Sequence, residues 1–306
     1  MNRRCSFCAA ALVLLVAALS AIPSAALPLG LRLTQQAAIA ANSGPTARDY
    51  VQDGLVAMWD GIENAGWGVH DPNATNWVDL VNGRFARIDW SRRWWEAATP
   101  CRIGDLISYT DAGTNYTAQL MWKDNCLYGE RYPQRTNTTD GKMQLFVSVG
   151  YNPVPYAECE NATIEVVSNG YMPATVSQGT YRYYTALGWF GHYWGNLYDG
   201  LRGSYITTNP KLRFNYLDGR IVNQTQVWWG TNQTLTCYVD GVKSHDATCS
   251  RYASVETSDL KLLTTGGERP WHQATYCTRF YNRALTAEEI AHNYEIDKAR
   301  FGSGNE

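Results

Sequence analysis

The stretch that decides the fold lies near the C-terminus and reads FYNRALTAEEIAHNYEIDKARF, residues 280–301. Thr286, followed three residues later by Glu289, has the pattern of a capping box, which marks the first turn of an α-helix. Leu285 and Ile290 stand at the spacing of a hydrophobic staple around that cap. The stretch therefore predicts a helix from Thr286 onward with one mostly apolar face. That face comprises Ile290, Tyr294, Asp297 and Phe301.

Upstream of this helix the sequence shows the signals of short strands. Runs rich in β-branched and aromatic residues are separated by Gly, Pro, Asn or Asp. They are GLVAMWD (54–60), YTAQLMW (116–122), KMQLFVSVG (142–150), ATIEVVSNG (162–170), YRYYTALGWF (181–190), QVWWG (226–230), TLTCYVDGV (234–242) and ATYCTRFYN (274–282). This pattern predicts an all-β fold, a sandwich or a barrel with antiparallel pairing favoured, and one short C-terminal helix.

The first 26 residues have the three parts of a secretory signal. Arg3 and Arg4 precede an apolar core, and Ser24-Ala25-Ala26 supplies a small-residue cleavage pattern. The apolar run ends at Pro23 and is shorter than the roughly 20 residues that span a bilayer, so we expect cleavage and export to the extracellular space or cell surface. The predicted division is a signal peptide at 1–26, a flexible leader at 27–48 and a single domain at 49–302.

Charge and hydropathy limit which classes of partner the chain can attract. The chain has 26 basic and 28 acidic residues, a formal net charge of −2, and cleavage of the signal segment would remove basic residues but no acidic ones. Bulk electrostatics therefore gives no attraction to nucleic acid. No later run is apolar enough to span a membrane.

Six cysteines follow the signal segment, an even number that in an exported protein predicts disulfides. They are Cys101, Cys126, Cys159, Cys237, Cys249 and Cys277. The Asp240-Gly241 turn predicts a hairpin that sets Cys237 opposite Ser244. Cys249 then lies far along the second strand, so a partner for Cys237 on another strand is at least as reasonable, and the pairing stays open.

Three segments carry a family resemblance. GLVAMWD followed by DLVNG resembles the N-terminal signature of laminin-G-like, concanavalin A-like lectin/glucanase domains. LTCYVDGV is similar to their hairpin, and TRFYNRALTAEEIAHNY to their closing strand and helix start. The resemblance brackets residues 54–301, while 90–225 matches only by strand pattern. It implies a jelly-roll sandwich, a fold that hosts lectins, hydrolases and adhesion modules alike.

Glycosidase chemistry fits the sequence poorly. Glu295 and Asp297 open the Glu-x-Asp-x-x-Glu pattern of hydrolases on this fold, but the third carboxylate is missing. In a helix, residues two apart point in nearly opposite directions, so the pair cannot converge. Glu160 and Glu165 have an odd spacing and would lie on opposite faces of a strand. The five histidines show no metal-binding spacing.

Aromatic composition favours ligand binding instead, because Trp and Tyr combine an apolar face with a polar edge suited to sugars. The chain has 12 Trp and 20 Tyr against 7 Phe. The densest cluster, GWFGHYWGNLYDG, offers Trp189 and Trp194 for stacking and His192 and Asp199 for hydrogen bonds. Strand alternation allows only one of the adjacent Trp228 and Trp229 on a binding surface and places the other in the core, as for Trp94 and Trp95. Trp229 is a further candidate for ligand binding.

Asp79 in DLVNG is a weak candidate for calcium. The alternative is a turn at Asn82-Gly83 in which Asp79 accepts backbone N–H groups. The leading hypothesis is a secreted, non-catalytic module that binds carbohydrate or another extracellular surface ligand, without a required cofactor. The alternatives are a structural or protein-adhesion domain without a sugar site, and a divergent glycoside hydrolase.

Overall fold

Each predicted strand segment contains a strand where the structure describes it, although in 181–190 only Tyr183–Tyr184 is described, and the fold class is all-β. A computed structural model describes residues 44–91, 97–111, 113–132, 144–148, 150–151, 153–154, 159–171, 183–184, 191–193, 196–199, 204–206, 221–232, 234–248, 261–266 and 272–302. Its strands are β1 Leu55–Asp60, β2 Arg87–Ser91, β3 Thr99–Pro100, β4 Ile107–Asp111, β5 Thr114–Lys123, β6 Cys126–Tyr132, β7 Gln144–Ser148, β8 Asn161–Tyr171, β9 Tyr183–Tyr184, β10 Gly191–Tyr193, β11 Asn196–Asp199, β12 Ser204–Ile206, β13 Val222–Trp229, β14 Thr234–Val239, β15 Val242–Thr248, β16 Lys261–Gly266 and β17 His272–Tyr281. One helix, α1, spans Ala287–Phe301.

A large antiparallel sheet has the strand order β15-β14-β13-β8-β17-β6-β5-β4, and β1 pairs with β17 beside it. A second sheet has the order β16-β7-β2-β3, and a small third sheet the order β12-β11-β10-β9. Side chains from the large sheet, such as Trp59, Ile164 and Phe280, share one apolar core with Ile88 and Val147 of the second sheet. These two sheets therefore form the predicted sandwich, and we call the core side of the large sheet its inner face.

The helix α1 packs on the opposite, outer face of the large sheet. The capping box is formed: the Glu289 N–H donates to Thr286 Oγ1 and the Glu289 carboxylate accepts from the Thr286 N–H. Leu285 and Ile290 are both buried and belong to one cluster with Val227 of β13. The helix boundary and its staple, predicted from local sequence, are confirmed.

A buried charge network joins α1 to the sheet. Arg279 of β17 donates to both oxygens of Asp297 at 2.7 Å each, and to Glu165 of β8 at 2.8 Å. All three side chains are fully buried. Asn293 of α1 donates to Glu165 at 2.7 Å. Burial raises the pKa of Glu165 and the nearby Asp297 carboxylate adds to the rise, while Arg279 offsets part of it.

The chain before β1 also packs onto this assembly. Ala47 is fully buried and its N–H donates to Glu63 at 2.7 Å. The Tyr50 hydroxyl donates to Asp297 at 2.8 Å, and its ring faces the Arg279 guanidinium at 4.0 Å. Ala47 and Tyr50 therefore belong to the same packed unit as β17 and α1, and the domain boundaries drawn from sequence stay a prediction.

The hairpin between β14 and β15 differs from the predicted register. Its turn residues, Asp240 and Gly241, have positive φ as expected. A bulge between Cys237 and Tyr238 places Cys237 opposite His245 rather than Ser244. The predicted register was wrong by one residue because a bulge adds one residue to one strand, which the turn pattern does not encode.

Within the described residues, the structure contains no helix that is both long and apolar enough to cross a membrane.

Candidate functional site

The five residues predicted to bind a ligand fall in different parts of the chain. Trp189 and Trp194 lie outside the described residues. His192 is in β10 and Asp199 in β11, two strands that pair with each other, and only their backbone is described. Trp229, the last residue of β13, is described with its surroundings. The candidate site is therefore built around Trp229.

Strand alternation brings Trp229 to the surface. Val227 packs under α1 on the outer face, and Trp228 turns to the inner side, where it is buried. Trp229 returns to the outer side and leaves 38% of its surface exposed. The prediction that one of the two adjacent tryptophans is core and the other accessible is confirmed.

The polar edge of Trp229 is held by side chains of the neighbouring strands. Its indole Nε1 donates to Thr236 Oγ1 of β14 at 3.2 Å. The Thr236 hydroxyl donates in turn to Asp246 Oδ1 of β15 at 2.8 Å. Asp246 Oδ2 pairs with Lys243 Nζ at 2.8 Å. Because the indole N–H is engaged in this chain, the apolar ring face is the part of Trp229 left for a ligand.

The other flank of Trp229 is the start of β8. Asn161 lies directly opposite Trp229, and its Oδ1 accepts from the Gly230 N–H at 3.1 Å. The Thr231 hydroxyl donates to Glu160 Oε1 at 2.7 Å. A Cβ at Gly230 would stand 2.2 Å from the Glu160 carbonyl oxygen, so glycine permits this close approach.

We call this surface the Trp229 platform. It comprises Trp229, Asn161, Thr236, Lys243 and Asp246. It combines a flat apolar ring with amide, hydroxyl and carboxylate groups around it. The hydrogen bond from Lys243 to Asp246 raises the pKa of that lysine, so the lysine is charged at neutral pH. Such a mixture suits a ligand that stacks on the ring and hydrogen-bonds at its edge.

Sequence reasoning found Trp229 but missed its partners. The position of Asp246 opposite Thr236 could have been predicted from the hairpin turn only with the correct strand register, and the bulge shifts the register of β15 against β14 by one residue. Asn161 and Glu160 precede Trp229 by more than sixty residues along the chain, and their contact depends on the pairing of β8 with β13. No local pattern encodes that pairing.

The calcium candidate Asp79 is occupied by protein donors. Oδ1 accepts the N–H groups of Met58 and Val81 at 2.9 and 3.0 Å. Oδ2 accepts from Asn82 Nδ2 at 2.9 Å and from the Tyr151 hydroxyl at 2.8 Å. Asp79 thus accepts backbone N–H groups, as expected for the turn at Asn82-Gly83 that was the alternative to a calcium site. Among the residues that the structure describes, no group of three or more His, Cys, Asp or Glu is placed to hold a metal ion.

The cysteines are distributed between several clusters. Cys101 and Cys159 border the sandwich core, while Cys126 and Cys277 lie in the cluster under the end of α1. Burial raises the pKa of Cys126 to about 12, and its thiol donates to the Lys123 carbonyl at 2.7 Å. No two of the described cysteines stand at disulfide distance. Cys249 lies outside the described residues, and the disulfides stay a prediction.

The carboxylates considered for catalysis have other roles. Asp297 and Glu165 are buried and bound to Arg279, where a saccharide has no access. Glu295 is exposed on α1 and stands 3.9 Å from Lys298. Glu160 accepts a hydrogen bond from the Thr231 hydroxyl. Within the Glu295-Ile296-Asp297 stretch, the buried Ile296 and Asp297 fasten the helix to the sheet.

Comparisons with known proteins return only remote structural similarity. No family profile matches the chain, and no curated protein matches it. Among solved structures, the receptor-binding domain of a botulinum neurotoxin C/D mosaic serotype is 15% identical with a TM-score of 0.44, covering 80% of this chain and 52% of that one. The binding domain of botulinum neurotoxin DC, solved in complex with rat synaptotagmin II, is 9% identical with a TM-score of 0.42, covering 79% and 51%.

The same neurotoxin DC domain in complex with SialylT aligns at 10% identity with a TM-score of 0.43, covering 80% of this chain and 51% of that one. The chain thus spans about half the length of these structures. Similarity at this level is too weak to transfer a ligand or a site to this chain.

Proposed function

We propose that this chain is a non-catalytic binding module that recognises carbohydrate through the Trp229 platform. The observation that carries the proposal is the geometry of Trp229: its ring is exposed while Thr236 holds its indole N–H. A sugar ring presents an apolar face that stacks on such a surface, and its hydroxyls bond to groups at the edge.

The groups at the edge match what a saccharide offers. The Asn161 Oδ1 is bound to the Gly230 N–H, so its Nδ2 is the end that donates to a ligand oxygen. The Asp246 carboxylate, on the β15 side of the ring, is a hydrogen-bond acceptor for hydroxyl donors. Sugar hydroxyls both donate and accept, so one sugar can satisfy both side chains.

The wider setting is part of the same proposal. The sandwich with a capped C-terminal helix agrees with a laminin-G-like jelly roll, and the segment at 1–26 with export to the extracellular space or cell surface. A glycan is the partner we propose. We propose that Asp79 holds no calcium for this binding, since both of its oxygens already accept hydrogen bonds from protein groups.

The test is a screen of the domain, Pro45 to Gly302, against plant, host and bacterial polysaccharides. Each ligand is offered in calcium and in a chelator. Production in a bacterial host leaves the Asn-x-Thr sequons at Asn161 and Asn232 unmodified beside the platform. We expect binding to at least one polysaccharide, with equal affinity in both buffers. No binding to any of them would overturn the proposal and favour a structural or protein-adhesion role.

A further inference from the structure

We propose that the folded chain accepts N-linked glycans at Asn73, Asn115 and Asn232 and excludes one at Asn223. All four residues open an Asn-x-Thr sequon, the sequence that an N-glycosylating transferase recognises. In a eukaryotic cell, export of the kind that the segment at 1–26 predicts would bring the chain to such a transferase. These positions are independent of carbohydrate binding by the Trp229 platform.

The chain has six of these sequons, of which four can be compared. Asn137 lies outside the described residues, and Asn161 is half-buried directly opposite Trp229. In the transfer reaction the asparagine Nδ2 forms a bond to C1 of the sugar. The bond from C1 to the lipid diphosphate donor breaks, and one Nδ2 proton is released with the diphosphate. The nitrogen then carries a bulky, hydrated oligosaccharide, so in the folded protein it must face solvent.

Asn73 meets this condition. It is exposed in the turn that follows Asp71. Asp71 holds the backbone of this turn, because its Oδ1 accepts from the Asn73 N–H at 2.8 Å and its carbonyl from the Ala74 N–H at 3.1 Å. Within the described residues the Asn73 side chain has no hydrogen-bond partner. A glycan on its Nδ2 would therefore displace no described protein contact.

Asn115 and Asn232 are exposed where strands begin or end. Asn115 lies in β5 opposite Thr110 of β4, the strand at one end of the order of the large sheet. Its Oδ1 accepts from the Thr110 hydroxyl at 2.7 Å, and its Nδ2 has no partner in the part of the chain that the structure describes. Asn232 lies in the turn between β13 and β14. Both amides thus have room for a glycan.

Asn223 of β13 is the opposite case. It is fully buried, and its Nδ2 donates to Asp297 Oδ2 of α1 at 2.5 Å. Its Oδ1 accepts from the hydroxyl of Thr225, the third residue of the same sequon, at 3.0 Å. Thr225 is buried as well. A glycan on this nitrogen would occupy the space between β13 and α1 and remove a donor from Asp297, so a chain that carries it cannot close α1 onto the sheet.

The experiment measures the glycan occupancy of each sequon separately. The chain from residue 27 onward is produced in insect cells behind a secretion signal of the host, so the result does not depend on the predicted signal at 1–26. Glycopeptide mass spectrometry gives the occupancy in the secreted protein and in the protein retained in the cell. Asn73→Gln, Asn115→Gln and Asn232→Gln are the matched variants, each lacking one sequon.

We expect most secreted molecules to carry glycans at Asn73, Asn115 and Asn232. Each Gln variant should lose one glycan and be secreted like wild type. Molecules with a glycan on Asn223 should occur only in the retained fraction, because they cannot fold. A glycan on Asn223 in secreted, folded protein would overturn the exclusion. An unoccupied Asn73, Asn115 or Asn232 would overturn the assignment of that position.

A second measurement keeps the test decisive if little protein is secreted. Gln is longer than Asn by one methylene, so it shifts the amide of each residue outward. In protein from a bacterial host, the three matched variants should keep the urea midpoint of wild type. Asn223→Gln should lower that midpoint or prevent folding, because its amide has no space to move. Equal midpoints in all four variants would overturn the distinction between Asn223 and the exposed sequons.

Discussion

Asp297 and Glu295 stand two residues apart in the segment that resembles a catalytic signature. Substitution of Asp297 should lower the free energy of unfolding strongly, whereas substitution of Glu295 should leave it almost unchanged. The Asp297 carboxylate accepts two hydrogen bonds from Arg279, one from Tyr50 and one from Asn223. Asp297→Asn keeps the shape of the side chain and removes its charge. It leaves the Arg279 guanidinium fully buried with Glu165 as its remaining carboxylate.

Breaking a buried ion pair from one side costs about 3–5 kcal/mol, because the other charge stays buried. That is a large share of the roughly 5–15 kcal/mol that stabilises a typical domain. At about 2–4 °C per kcal/mol for a domain of this size, the Tm should fall by roughly 6–20 °C. Tyr50→Phe removes one of the four hydrogen bonds and should cost about 1 kcal/mol.

Urea unfolding followed by tryptophan fluorescence measures these differences in the free energy of unfolding. The control is Glu295→Gln, whose side chain is 68% exposed and stands 3.9 Å from Lys298. Its change should stay below about 0.5 kcal/mol. A loss below about 1 kcal/mol in Asp297→Asn, or an equal loss in both variants, would refute the scaffold role assigned to this segment.

Three further variants test separate features of the fold. Gly61→Ala should lower the free energy of unfolding by about 1–3 kcal/mol in a urea titration, because its Cβ would stand 2.2 Å from the Asn125 carbonyl oxygen; wild-type stability would contradict this close packing. The pKa of Glu165 is raised in the folded state above its ordinary value of 4.5. The folded protein therefore holds this proton more tightly than the unfolded chain, and the free energy of unfolding falls as the pH rises above about 4.5. Glu165→Gln should make that pH dependence shallower, by up to about 1.4 kcal/mol per pH unit, and an unchanged slope would argue against it. Thr286→Ala should cost about 1 kcal/mol through loss of the capping bond to the Glu289 N–H, and no change in thermal unfolding would argue that the cap is dispensable.

Features that depend on residues close in sequence were predictable. The cap at Thr286 and the staple from Leu285 to Ile290 each involve neighbours within one or two turns, and both form. The opposite fates of Trp228 and Trp229 follow from strand alternation alone. For the same reason the all-β class could be predicted from the spacing of short strands and turns.

Features that depend on which strands pair were out of reach. Arg279, Glu165 and Asp297 meet because β17 lies beside β8 and α1 covers both, and no spacing in the chain encodes that meeting. Asn161 reaches Trp229 in the same way, through the pairing of β8 with β13. Long-range strand pairing is decided by the packing of whole sheets. The position of Asn161 beside Trp229 therefore could not be predicted from the sequence and is known only from the folded chain.

The most direct test of the central claim is a calorimetric titration of the polysaccharide selected by the screen into wild type and Trp229→Ala. Phe85→Ala is the matched control, because Phe85 is an exposed aromatic residue, 62% accessible, outside the platform. We predict that Trp229→Ala stays folded and weakens binding at least tenfold, while Phe85→Ala binds like wild type. Wild-type affinity in Trp229→Ala would contradict the assignment of the Trp229 platform as the carbohydrate site.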